Sequence, residues 1–178
     1  MSRITTPAAI LSYPALFEPK VGMDGGSPKF GCALVFEAGT DLSGLEVAAI
    51  EAARAKWGDK AASMKLRMPF RPDDEGKYGP PRQHIYMNVR SDYQPGIVDG
   101  QLNTIGPARS NEIYAGCRVR ATLNAYAYDT KGNKGVTFGL NNIQKLADGK
   151  RLDGRRAAEH DFEALPIQDL EAAAADLI

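Results

Sequence analysis

Residues 29–36 alternate, with Phe30, Cys32, Leu34 and Phe36 on one side and Gly31, Ala33 and Val35 on the other, which is the two-residue period of a β-strand. Both sides are apolar, so the strand belongs in the middle of a sheet. An earlier apolar run over residues 4–17 reads as the first strand, broken near Pro14 and ended by Glu18-Pro19-Lys20, because proline cannot donate to a ladder. The Gly-rich residues 22–28 then form a hairpin connection. Beyond them the period changes. Leu45, Ala48, Ala49, Ala52 and Lys56 recur at helical spacing, Asp41 or Ser43 can cap the start, and Gly58 ends the run, so one helix is expected here. Residues 64–83 contain four prolines and the charged run Asp73-Asp74-Glu75. They read as a long irregular loop whose acids are solvated.

The two-residue period returns at residues 84–90, with Ile85, Met87 and Val89 inward and His84, Tyr86, Asn88 and Arg90 outward. It runs longer over residues 116–129. There Cys117, Val119, Ala121, Leu123, Ala125 and Ala127 share one face, and Arg118, Arg120, Thr122, Asn124, Tyr126 and Tyr128 share the other. A turn at residues 130–135 leads back into residues 136–146 as a hairpin partner. This inventory predicts a mainly β fold: a five- to six-stranded barrel, closed or nearly so, with one inserted α-helix.

At 178 residues the chain is long enough for one domain with a sizeable core. Its formal net charge of zero hides a division. All 22 Lys and Arg precede residue 157 together with 16 of the 22 Asp and Glu, a surplus of six bases, whereas the last 22 residues carry six acids and no base. The expected organisation is a basic body over residues 1–156 and an acidic C-terminal tail over residues 157–178, a contrast that points to an anionic partner for the body. The tail has a second reading as a terminal helix, with Pro166 in its first turn and Ile167, Leu170, Ala174 and Leu177 near one stripe. Cys32 and Cys117 are far apart, each inside an apolar run, and are expected to be reduced core residues. No apolar run reaches the length of a membrane span or of a signal-peptide core, so a cytoplasmic protein is expected.

Catalysis finds little support. His84 and His160 lack neighbours at metal-ligand spacing, and no phosphate-binding loop, zinc-protease motif or nucleophile elbow occurs. No enzyme activity, cofactor or metal is therefore expected; metal-dependent nuclease action would have to rest on Asp73-Asp74-Glu75. The polar strand faces carry more. Cations neutralise phosphates and flat rings stack on unpaired bases whatever their identity. The candidate DNA-binding residues are Tyr86, Asn88 and Arg90 on the first strand, Arg118, Arg120, Asn124, Tyr126 and Tyr128 on the second, and Lys131 and Lys134 at the hairpin tip. Each alone suits an ordinary amphipathic barrel strand; together they make a basic, aromatic row. Single-stranded DNA is the expected partner, duplex DNA a second candidate, and a homodimer is compatible with the pattern. The reading from a different class is a protein-interaction or assembly module with no nucleic-acid role.

The phrases LSYPALFEP, EAARAKWGDK, YQPGIVD, EIYAGCRVRATLNAYAYDTKGNKGVTFGLNNIQKL and DGKRLDGRRAAEHDF resemble a phage and prophage family long catalogued as a domain of unknown function. Its characterised member is an OB-fold single-stranded-DNA-binding protein. The likeness spans roughly residues 4–162 and is most specific over residues 114–146. It implies an OB fold and a role in phage replication or recombination, coating and protecting exposed strands in a bacterial host. It also implies that the acidic tail contacts replication proteins. The resemblance supplies no DNA-contact residues, so the site rests on the strand faces.

Overall fold

The computed structural model describes residues 3–78, 83–155 and 158–175. Its strands are β1 (Arg3–Thr5), β2 (Ala9–Lys20), β3 (Lys29–Phe36), β4 (Arg71–Pro72), β5 (Ile85–Ser91), β6 (Gly96–Val98), β7 (Arg118–Thr130) and β8 (Asn133–Ala147), with helix α1 (Ser43–Trp57) between β3 and β4. Five strands close into a ring in the order β7, β2, β3, β5, β8 and back to β7. The fold is mainly β, an OB-like barrel with one inserted helix, as the strand count implied. β1 and β6 extend it at the margins of β7 and β8, and β4 pairs with β5.

Most of the ring is antiparallel. β7 and β8 form a long hairpin from Arg118 opposite Ala147 to Thr130 opposite Asn133. Its two-residue turn has Lys131 at φ 50° and Gly132 at φ 82°, the twist that suits flanking right-handed strands. The closure between β5 and β8 differs: it is parallel and rests on one register pair, Arg90 opposite Gly139.

The inward faces supply the core. Leu11, Leu34, Phe36, Met87, Val89, Val119, Leu123, Phe138 and Ile143 are buried, each stabilising the fold by about 1.5–3 kcal/mol relative to exposure. Cys32 and Cys117 are also buried and unlinked. Burial, with Cys117 as a lesser influence, pushes the Cys32 thiol up to about 12, so it is inert at neutral pH. Helix α1 closes one end of the barrel through Leu45, Ala49 and Ala53. The Asp41 carboxylate accepts the Ser43 N–H at 3.0 Å, satisfying a donor that the helix start leaves unpaired.

Three sequence expectations change here. β2 continues through Pro14 because a bulge takes that residue out of the ladder: the register steps from Ser12 opposite Ala33 to Ala15 opposite Gly31. His84, expected outward, is buried, since it precedes β5 and lies outside that strand's alternation. Ala125 and Ala127, expected in the core, are half-buried beside Ala48, Ala52 and Ala55 of α1. Near the C-terminus α2 (Ala158–Asp161) and α3 (Ile167–Ala175) are short helices, and Phe162, Leu165, Ile167 and Leu170 stand exposed. Leu177 lies outside the described residues. Among those described, no helix is long and apolar enough to cross a membrane.

Candidate nucleic-acid interface

A cleft of about 560 Å³ opens on the outer wall of the barrel, across the β5–β8 closure. Asn88 and Arg90 enter it from β5, Tyr126 and Tyr128 from β7, Lys29 from the start of β3, and Arg67 and Arg71 from the preceding loop and β4. Of the described residues lining it, Asp24 is the sole acid. Lys29 is paired with Asp92 at 3.3 Å, while Arg67, Arg71 and Arg90 form no ion pair among the described residues and are exposed. Three guanidinium groups outside any ion pair, against the single carboxylate of Asp24, give the cleft a net positive potential.

Glycines on the floor make room for these side chains. Tyr128 lies across Gly135, where a Cβ would collide with the Arg67 carbonyl oxygen and come within 2.7 Å of the Tyr128 hydroxyl. The Tyr126 ring touches Gly139 at ordinary contact distance, its Cε1 3.6 Å from the place a Cβ would take. Gly31 plays this part for Arg90, whose Cγ lies 3.2 Å from the place a Cβ would take. Tyr126 remains 43% exposed, so its ring is open to a planar ligand from solvent.

Of the ten residues singled out from the sequence, the cleft gathers Asn88, Arg90, Tyr126 and Tyr128. The other six stand elsewhere. Tyr86 is half-buried, its ring 4.2 Å from that of Tyr78. Arg118 is bonded to Glu37 at 2.6 Å, and that bond holds the Glu37 carboxyl below its usual range. Arg120 donates to the Gln144 side chain at 2.7 Å and borders a different depression with Arg3 and Leu102. The Asn124 amide reaches Asn141 at 3.4 Å. Lys131 occupies the hairpin turn, and Lys134 pairs with Asp129 at 3.6 Å. The row along β7 is real as a face, yet it is not one groove. Arg118 and Tyr128 are separated by about 33 Å at roughly 3.3 Å per residue, and the strand coils around the barrel between them.

Arg67 and Arg71 escaped the sequence reading because their segment has no period. It is nevertheless tied down: the Arg67 N–H donates to the Lys134 carbonyl and the Val136 N–H to the Arg67 carbonyl, both at 2.9 Å, and Arg71 pairs opposite Tyr86. Asp73 is likewise not the solvated acid expected. It is buried, and its carboxylate accepts the N–H groups of Lys77 at 2.7 Å and Tyr78 at 3.2 Å, seating that loop on the barrel wall. Asp73→Ala is expected to orphan both donors and cost about 2–4 kcal/mol, read as a melting temperature lower by roughly 5–15 °C. Among the described residues no group of three or more His, Cys, Asp or Glu side chains could hold a metal ion.

A family model described as the Enterobacter phage Enc34 ssDNA-binding protein matches residues 2–176. Protein p50 of Acyrthosiphon pisum secondary endosymbiont phage 1 is 28% identical over 172 residues, covering 90% of this chain and 92% of that one. The structure of the single-stranded DNA-binding protein from bacteriophage Enc34 in complex with ssDNA superimposes with a TM-score of 0.68 at 20% identity, over 84% of this chain and 89% of that one. The bacteriophage T7 single-stranded DNA binding protein gp2.5 gives 0.60 at 13% identity, over 88% and 98%.

Proposed function

We propose, for a chain that belongs to the Enterobacter phage Enc34 ssDNA-binding protein family, that it binds single-stranded DNA in the cleft of Arg67, Arg71, Arg90, Tyr126 and Tyr128, with little regard to sequence. The observation that carries this reading is the convergence of three guanidinium groups outside any ion pair with two tyrosine side chains on one cleft that holds a single acid. Guanidinium groups bind phosphate oxygens, and the rings offer π-faces that every base can meet. Asn88 adds one amide, too little for a base-by-base code. The protein thereby coats and protects unpaired strands during phage replication or recombination in the host cell. It performs no chemical step of its own. Residues 1–156 form the DNA-binding body; residues 157–178, with their six acids, serve as a tail that replication proteins engage, Phe162, Ile167 and Leu170 offering exposed apolar contacts.

The test is fluorescence anisotropy with a labelled strand of about 30 bases and its duplex. With three or four phosphate contacts at a log–log slope of about 0.7 each, raising salt from about 50 to 200 mM weakens single-strand binding roughly 20- to 50-fold. Equal affinity for the duplex would make the protein a general DNA coat. Absence of binding at the lower salt would leave the cleft as a surface for another protein.

A further inference from the structure

We infer that Tyr13 is a second base-stacking station, at the far end of a track that begins at Tyr126 and Tyr128; this rests on the function proposed above and extends it. Tyr13 has φ 45°, a left-handed conformation that costs a residue with a side chain about 1–2 kcal/mol. It occupies the β2 bulge with its ring 62% exposed. A strained backbone that holds a large ring out into water is retained against both stability and solubility.

The surroundings give the ring a task. Tyr78 braces it edge-on, with centroids 5.4 Å apart and planes at 86°. Tyr78 in turn lies against Tyr86 and rests on Ala33 and Val35, held in place by the Asp73 carboxylate. Burial, with Tyr86 as a further influence, pushes the Tyr78 hydroxyl up to about 12, so this brace stays uncharged. The Lys77 Nζ lies 6.0 Å from the Tyr13 ring centre and 5.4 Å from that of Tyr78, a cation beside a platform. Lys20 borders the same depression.

The two depressions share a wall, since Lys29, Asn88 and Arg90 line both. A strand stacked on Tyr126 and Tyr128 therefore passes Arg90 and arrives at Tyr13, with Lys77 placed for a phosphate. An unpaired strand is the occupant this chemistry selects: a duplex buries its base faces, and the cations call for an anion.

Tyr13→Gly removes the ring and suits the backbone, so the fold is kept, whereas Tyr13→Phe keeps the ring. For a strand of about 30 bases, Tyr13→Gly should weaken binding about 5- to 150-fold, the equivalent of one lost stack. Tyr13→Phe should stay within about twofold of the native protein, and Tyr13→Gly should bind a strand of about four bases, enough for the Tyr126–Tyr128 end alone, as the native protein does. Native affinity of Tyr13→Gly for the long strand, alongside weakened Tyr126→Ala, overturns the second station and leaves the groove standing. Native affinity in both variants overturns the groove as well. A strand carrying 5-iododeoxyuridine provides an independent readout: ultraviolet crosslinking to the Tyr13 peptide is expected, and crosslinks confined to the β7 peptide reject the assignment.

Discussion

Replacing Arg67, Arg71 and Arg90 together by Gln is expected to weaken binding of a single strand at about 50 mM salt by 100- to 1,000-fold and to flatten the log–log salt dependence by roughly 2. None of the three forms an ion pair among the described residues, and all three border one cleft whose lining holds a single acid, Asp24, so each can displace a counterion from a phosphate. Their removal should leave the fold intact, because all three are exposed. The comparison with Arg118→Gln is decisive: this guanidinium stands on the outer face of β7 but is paired with Glu37, and the salt slope of that variant should match the native one. Flattening by Arg118→Gln as well would return the site to the whole length of β7.

The second large effect is expected from Tyr126→Ala combined with Tyr128→Ala. Each ring accounts for about 1–3 kcal/mol of stacking, so the pair should cost roughly 30-fold at the least, with an unchanged salt slope. The separation of the two signatures is the useful result. Arginine loss changes how affinity responds to salt, while tyrosine loss lowers affinity equally at every salt concentration. Both are read by anisotropy titration at several ionic strengths, with circular dichroism to verify the fold. A native affinity in the folded double variant would dismiss stacking at this cleft.

The barrel was legible because its walls divide water from core, and that division imprints the alternation seen at Met87–Arg90 and along β7. Pro14 misled, since the sequence shows a residue that cannot donate to a ladder but does not show the bulge that excuses it. The site was legible only in part. Alternation tells which face a side chain takes but not which other strand faces it, so the sequence puts Arg118, Arg120, Tyr126 and Tyr128 in one row, whereas the structure has the tyrosines at the cleft and the arginines beside Glu37 and Gln144. Arg67 and Arg71 were invisible for the opposite reason. They are positioned by isolated backbone bonds to β8 and β5, and such long-range bonds leave no periodic trace. Asp73 was misjudged because its partners are backbone N–H groups, which sequence composition cannot display.

The cleft lies over the least secured joint of the barrel, where β5 meets β8 through a single parallel pair, while every other joint in the ring is an antiparallel ladder. The two lips of that joint carry Arg90 on one side and, through the hairpin, Tyr126 and Tyr128 on the other. On the function proposed above, a strand of nucleic acid lying across it is a lace over two edges that the polypeptide itself joins at one register pair.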